Sequence, residues 1–144
     1  MDNSLEFREQ IRILERKLGL LKKATTSIGF NGSPLTLPQC HGLVEIGRAN
    51  SISLKRLSEI LDIDISTTSR TVDTLVRKGF VTRIPSVTDR RSVDISLTST
   101  GEAIYKEIEA HNNRFFKDIY DNIPLEEQSN VLHSLDIILA AFND

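Results

Sequence analysis

A chain of 144 residues, 39% apolar and 26% charged, has room for one globular domain with its own core, which excludes disordered, collagen-like and doubly catalytic architectures. Its longest apolar runs fall far short of the roughly 20 residues a bilayer span needs, and its charged start is unlike a secretory leader, so the expected place is the cytoplasm, with no membrane partner. A single cysteine, Cys40, allows no internal disulfide and fits a reducing compartment, while the net charge of −2 speaks, taken alone, against a nucleic-acid partner.

Apolar residues at helical spacing, Leu5, Ile11, Leu14, Leu18, Leu21 and Ile28, predict a long amphipathic helix over 5–28, broken by Asn31-Gly32-Ser33-Pro34. Thr36 then caps a second helix that tolerates Pro38 in its first turn, carries Leu43, Val44 and Ile46, and ends near Asn50. Ser53 caps a short third helix with Leu54, Leu57, Ile60 and Leu61 on one face. A fourth helix, capped by Asp64 or Ser66, buries Ile65, Val72, Leu75 and Val76 and stops at Gly79.

The period then changes. Residues 80–86 and 92–97, the latter alternating Val93, Ile95 and Leu97, read as two strands joined through 87–91, with Pro85 marking an edge position. A hairpin of two strands is barely stable alone and must lean on the preceding helices. Ser99 and Glu102 have capping-box spacing for a helix running to about Ile123, and Pro124 opens a last one with Val131, Leu132, Leu135, Ile138, Leu139 and Phe142 on its apolar face. The predicted fold class is mainly α with a small β-hairpin wing. A winged helix-turn-helix module occupies 36–100, an N-terminal dimerisation helix 1–35, and C-terminal helices completing the dimer interface 101–144.

Partitioned along the chain, the charge changes meaning. Residues 48–91 hold nine basic side chains against five acidic ones, a balance of +4, whereas 101–144 hold nine acids against three bases, a balance of −6. In the fourth helix the face opposite the apolar stripe presents Ser66, Thr67, Ser69, Arg70, Asp73, Thr74 and Arg77, short hydrogen-bonding groups and arginines suited to base edges in a major groove. At the hairpin tip Asp89-Arg90-Arg91 offers an arginine for a narrow minor groove, with the carboxylate placed to hold the Arg91 guanidinium. Ser53, Lys55, Arg56 and Arg90 complete the DNA-contacting candidates, the three basic ones as phosphate ligands. The acidic C-terminal helices are expected to face away from DNA.

The terminal helices carry more apolar surface than one winged module can cover. Leu14, Leu18, Leu21, Leu135, Ile138 and Phe142 are therefore expected to pack against a second copy, and a twofold dimer would set two reading helices roughly 34–36 Å apart on a near-palindromic operator. No nucleophile motif, paired-carboxylate spacing or phosphate-binding glycine loop is present, so an enzyme is not expected, nor a cofactor. A winged module used only for protein interaction is the alternative from another class.

Leu37-Pro38-Gln39-Cys40-His41, the run Ser53 to Leu61, the run Ser66 to Val81, and Asp89-Arg90-Arg91 followed by Leu97-Thr98 and Gly101 resemble the MarR family of bacterial transcription regulators in residues and order. The Asp-x-Arg wing leading into Leu-Thr-x-x-Gly is the most specific part; the terminal helices resemble the family by layout only. The resemblance implies a homodimeric repressor released by a small effector, with Ser66, Thr67, Ser69 and Arg70 in the major groove and Arg91, held by Asp89, in the minor groove. It also implies an effector region to which Cys40, His41 and His111 contribute. A small molecule is the default effector; oxidation of Cys40, or a metal at Cys40, His41 and His111, are the other sensing chemistries, and no resident metal is expected.

Overall fold

The computed structural model describes the backbone of residues 2–26, 29–30 and 33–142, and the side chains of 2–19 and 35–142. Helix α1 (Ser4–Thr26) is followed by a short antiparallel ladder of β1 (Gly29–Phe30) and β2 (Ser33–Pro34). Ile28, Asn31 and Gly32, and the side chain of Leu21, lie outside the described residues, so the predicted helix end and break are described only in part. Helix α2 (Leu37–Ala49) starts where expected. The Thr36 hydroxyl accepts the Gln39 N–H at 3.4 Å and the Gln39 side chain accepts the Thr36 N–H at 3.1 Å, so Pro38, which has no N–H to offer, costs the first turn nothing.

Strand β3 (Ile52–Ser53) leads into α3 (Leu54–Leu61), capped by the Ser53 hydroxyl, which accepts the Arg56 N–H at 3.1 Å. Helix α4 (Ile65–Arg77) is capped by Asp64 rather than Ser66. It ends in a Schellman turn: Phe80 N–H donates to the Leu75 carbonyl and Gly79 N–H to that of Val76, both at 3.0 Å, with Gly79 at φ +82° where a side chain would be strained. The buried stripe of α4 is Thr68, Val72 and Leu75. Ile65, expected within it, is 52% exposed at the first helical position. Thr68 can be buried because its hydroxyl donates to the Asp64 carbonyl at 2.9 Å.

Strands β4 (Val81–Pro85) and β5 (Val93–Leu97) pair antiparallel, with Pro85 opposite Val93. The sheet has three strands, not two, in the order β3-β5-β4, with Ile52 opposite Ile95. Thus β5 is central and Pro85 sits on an edge, where its missing donor breaks no ladder. Around this sheet Leu35, Leu43, Ile46, Leu57, Val72, Leu75, Phe80, Val81, Ile95, Ile104 and Ile108 close a single core.

Helix α5 (Ser99–Asp121) does not use the expected Ser99–Glu102 box, because Ser99 is already its first helical residue. Thr98 is the cap. Its hydroxyl accepts the Gly101 N–H at 3.1 Å and donates to the Gly79 carbonyl at 2.6 Å, while its own N–H donates to the Phe80 carbonyl at 3.0 Å. Gly101 lies so near Phe80 that a Cβ there would fall 1.9 Å from the Phe80 carbonyl oxygen.

The fold divides into two compact units, Met1–His111 and Asn112–Asp144. In the second, Pro124 does not open the last helix but stands in extended backbone ahead of a 3-10 turn, Leu125–Glu127, and α6 (Gln128–Ala140) begins four residues later than expected. The Gln128 side chain clips this corner, donating to the carbonyls of Tyr120 at 3.3 Å and Ile123 at 3.2 Å. Among the described residues no helix is long and apolar enough to cross a membrane.

Candidate nucleic-acid interface

The basic segment folds entirely within the first unit, and its polar side chains are ordered by one another before any ligand arrives. Asp64, fully exposed, organises the start of α4. One carboxylate oxygen accepts the Thr67 N–H at 2.6 Å and the Ser66 hydroxyl at 2.8 Å; the other accepts the Thr67 hydroxyl at 2.9 Å. Those bonds, the backbone one foremost, pull its carboxyl down to about 2. Arg70 donates to the Thr67 hydroxyl at 3.3 Å, and two turns later Arg77 repeats the pattern on Thr74 at 3.1 Å, so both guanidiniums lie along the helix with other N–H groups open to solvent.

Asp73, on the same face, is engaged by Arg83 of β4, a residue that helix periodicity could not single out. The pair neutralises the one carboxylate of the α4 face and ties the helix to the wing. A signal existed: an acid on a helix proposed to meet phosphates needs a cation within reach, and Arg83 opens the next basic stretch. A cleft of about 600 Å³ lies at this junction, with Lys55, Ser69, Asp73, Arg83 and Arg91 on its walls.

The wing turn is built by its own side chains. Ser86 Oγ accepts the N–H groups of Thr88 and Asp89 at 3.3 Å each, and the Asp89 carboxylate accepts the Arg91 N–H at 2.9 Å. Asp89 was expected to hold the Arg91 guanidinium; it holds the Arg91 backbone instead, because a carboxylate two residues upstream in a tight turn meets the N–H before it can reach the end of a long side chain. Arg90 and Arg91 are both exposed. Lys55 and Arg56 are exposed on α3, where Arg56 pairs with Glu59 at 3.2 Å, and Ser53 is occupied as the cap of that helix.

The candidates for effector sensing are not brought into one arrangement. Cys40 is a buried thiol, 2% exposed, whose ionisation burial pushes up, which makes it a poor nucleophile. His41 is exposed on the next position of α2. The Nε2 of His111 is buried with no hydrogen-bond partner among the described residues. No group of three or more His, Cys, Asp or Glu side chains able to hold a metal occurs among the described residues.

Comparison with known proteins agrees with this geometry. The family model described as MarR family matches residues 35–93, from the last residue before the α2 cap to the first of β5. The multiple antibiotic resistance protein MarR of Escherichia coli is 39% identical over 74 residues, a match spanning 50% of this chain and about half, 51%, of that protein. The HTH-type regulator YfiV of Bacillus subtilis is 26% identical over 90% of this chain and 86% of its own length. Among solved structures, a mutant MarR of Escherichia coli complexed with operator DNA superposes with a TM-score of 0.76 at 25% identity, covering 95% of this chain and 96% of that one. Streptococcus pneumoniae FabT in complex with DNA shares the fold with a TM-score of 0.83 at 22% identity, over 96% of each chain. Over its winged helix-turn-helix segment the chain is thus similar to the regulators of the MarR family.

Proposed function

We propose that this protein is a cytoplasmic transcriptional repressor that binds a near-palindromic operator as a homodimer and is released by a small effector. The observation that carries the reading is the polar face of α4 beside an exposed, side-chain-ordered Arg90–Arg91 turn, within a segment of +4 charge. In this reading Ser66, Thr67, Ser69, Arg70, Thr74 and Arg77 face base edges, Asp73 sets the position of Arg83, Lys55, Arg56 and Arg90 meet phosphates, and Arg91 enters the minor groove. That a similar fold, a mutant MarR of Escherichia coli, is solved in complex with operator DNA supports a DNA-binding role here.

The module at 36–100 is the DNA-binding part, with 1–35 and 101–144 providing the dimer contacts. Supporting this, α1 leaves Leu5, Phe7 and Leu14 exposed, and α6 leaves Leu135, Ile137 and Leu139 exposed, with no residue of α6 buried within the single chain. A small molecule is favoured over an oxidant as effector by the buried, weakly acidic Cys40, and His111 Nε2 is a polar atom such a ligand would satisfy.

Replacing Arg91 by Ala is expected to weaken binding to DNA from the protein's own promoter region by about 10-fold or more and to flatten the slope of log affinity against log salt by about 1, read by fluorescence anisotropy over a salt series. Unchanged affinity and slope would remove the wing from the interface.

A further inference from the structure

The hydroxyl groups that open α4 have only one proton each, and both protons are already given away. Ser66 Oγ–H points to one oxygen of Asp64 and Thr67 Oγ1–H to the other. An ionised carboxylate accepts and never donates, so neither hydroxyl can reverse its direction while Asp64 is charged. Thr67 Oγ1 also receives Arg70. What remains outward is acceptor capacity, two lone pairs on the exposed Ser66 and one on Thr67. The carboxyl, held down to about 2, keeps this arrangement throughout the physiological range.

Hydroxyls are normally the least informative reading groups, because each can turn to donate or to accept. Here the choice has been removed. In the major groove only adenine N6 and cytosine N4 offer donors, whereas guanine O6 and N7 and thymine O4 are acceptors. An acceptor-only hydroxyl gains a hydrogen bond from the first pair and meets lone pair against lone pair with the second.

Resting on the proposed DNA-reading role of α4, we infer that Asp64 is a specificity-determining positioning residue: by binding the protons of Ser66 and Thr67 it makes the start of the helix read an adenine or cytosine amino group. Asp64 itself touches no base in this arrangement. It acts through Ser66 and Thr67, and the acidic charge at a DNA-facing helix start, otherwise unfavourable, has this as its use. The same polarity discourages phosphate oxygens from approaching Ser66, which separates a base-reading role from a backbone-positioning one.

The test is selection of bound duplexes from a random DNA pool by the full-length wild type, Asp64→Asn and Ser66→Ala. Asn caps a helix as well as Asp does; with its oxygen kept on the Thr67 N–H, and so on the Ser66 hydroxyl, its N–H₂ meets Thr67 Oγ1 and frees that hydroxyl to donate. The wild-type pool is expected to be enriched for adenine or cytosine at the positions that Ser66 and Thr67 read in each half-site, by about 5–10-fold over guanine or thymine. Asp64→Asn should lose the enrichment where Thr67 reads and Ser66→Ala where Ser66 reads, with the remaining positions and the salt slope of binding unchanged. An Asp64→Asn pool with the same preference as the wild type overturns the inference and leaves the DNA-binding role standing. A wild-type pool with no sequence enrichment overturns the DNA-reading role itself, and this inference with it. If Asp64→Asn fails to fold, Ser66→Ala still decides: retained enrichment at both positions overturns the inference.

Discussion

Asp64 shows how much a single exposed carboxylate can arrange when its partners lie within three residues. Because its carboxyl is held down from 3.8 to about 2 in the folded chain, its contribution to stability is present above the unfolded value and is lost as pH falls through the folded one. An acid titration of helical ellipticity should therefore show a wild-type loss between pH 3.8 and about 2 that is missing in Asp64→Asn; superimposable curves would mean that its bonds do not hold in solution. Caps of this kind were legible in the sequence. Thr36, Ser53 and Asp64 each accept from an N–H three residues on, a local pattern that needs no knowledge of the fold. The need of Asp73 for a cation was legible but Arg83 as its partner was not, because the two are ten residues apart on different elements and meet only after the wing has packed on the helix.

At the scale of elements, the start of α5 is the joint on which the first unit closes. Three bonds from Thr98 join it to the carbonyls of Gly79 and Phe80 and to the N–H of Gly101, so the end of α4, the first wing strand and the long helix share one fastening. That accounts physically for the spacing Leu97-Thr98-x-x-Gly101: the threonine supplies the bonds, and glycine two residues into the helix permits the backbone approach. Gly101→Ala should cost about 2–3 kcal/mol in urea unfolding, since backbone rather than a flexible side chain meets the new methyl group. A loss below about 0.5 kcal/mol, the usual range for surface changes, would show that the joint can open without cost. The helices and the two wing strands were readable from their periods. Strand β3 was not, since two residues carry no alternation, and it exists only because Ile52 finds Ile95 across the ladder. The late start of α6 was missed for a related reason: proline marks a helix boundary without saying whether the first turn is α or 3-10.

For the whole molecule, summed charge concealed what partitioned charge revealed, and apolar exposure in the terminal helices has the same character. Leu14 is 45% exposed, Leu135 44% and Phe142 65%, values that make sense for a surface awaiting a second copy. Replacing Leu135 and Phe142 together by Ser should lower the mass seen by sedimentation to that of one 16.2 kDa chain and weaken operator binding by on the order of 100-fold, as two linked half-site contacts become independent. A double variant that keeps twice the chain mass would move the dimer contacts elsewhere. The wing sheet has a further consequence for such a molecule at high concentration. Of its two edge strands one is only two residues long and the other ends in Pro85, so neither edge is a long, regular template for a neighbouring chain to extend. Strand-to-strand aggregation is thereby discouraged at the surface proposed to meet DNA.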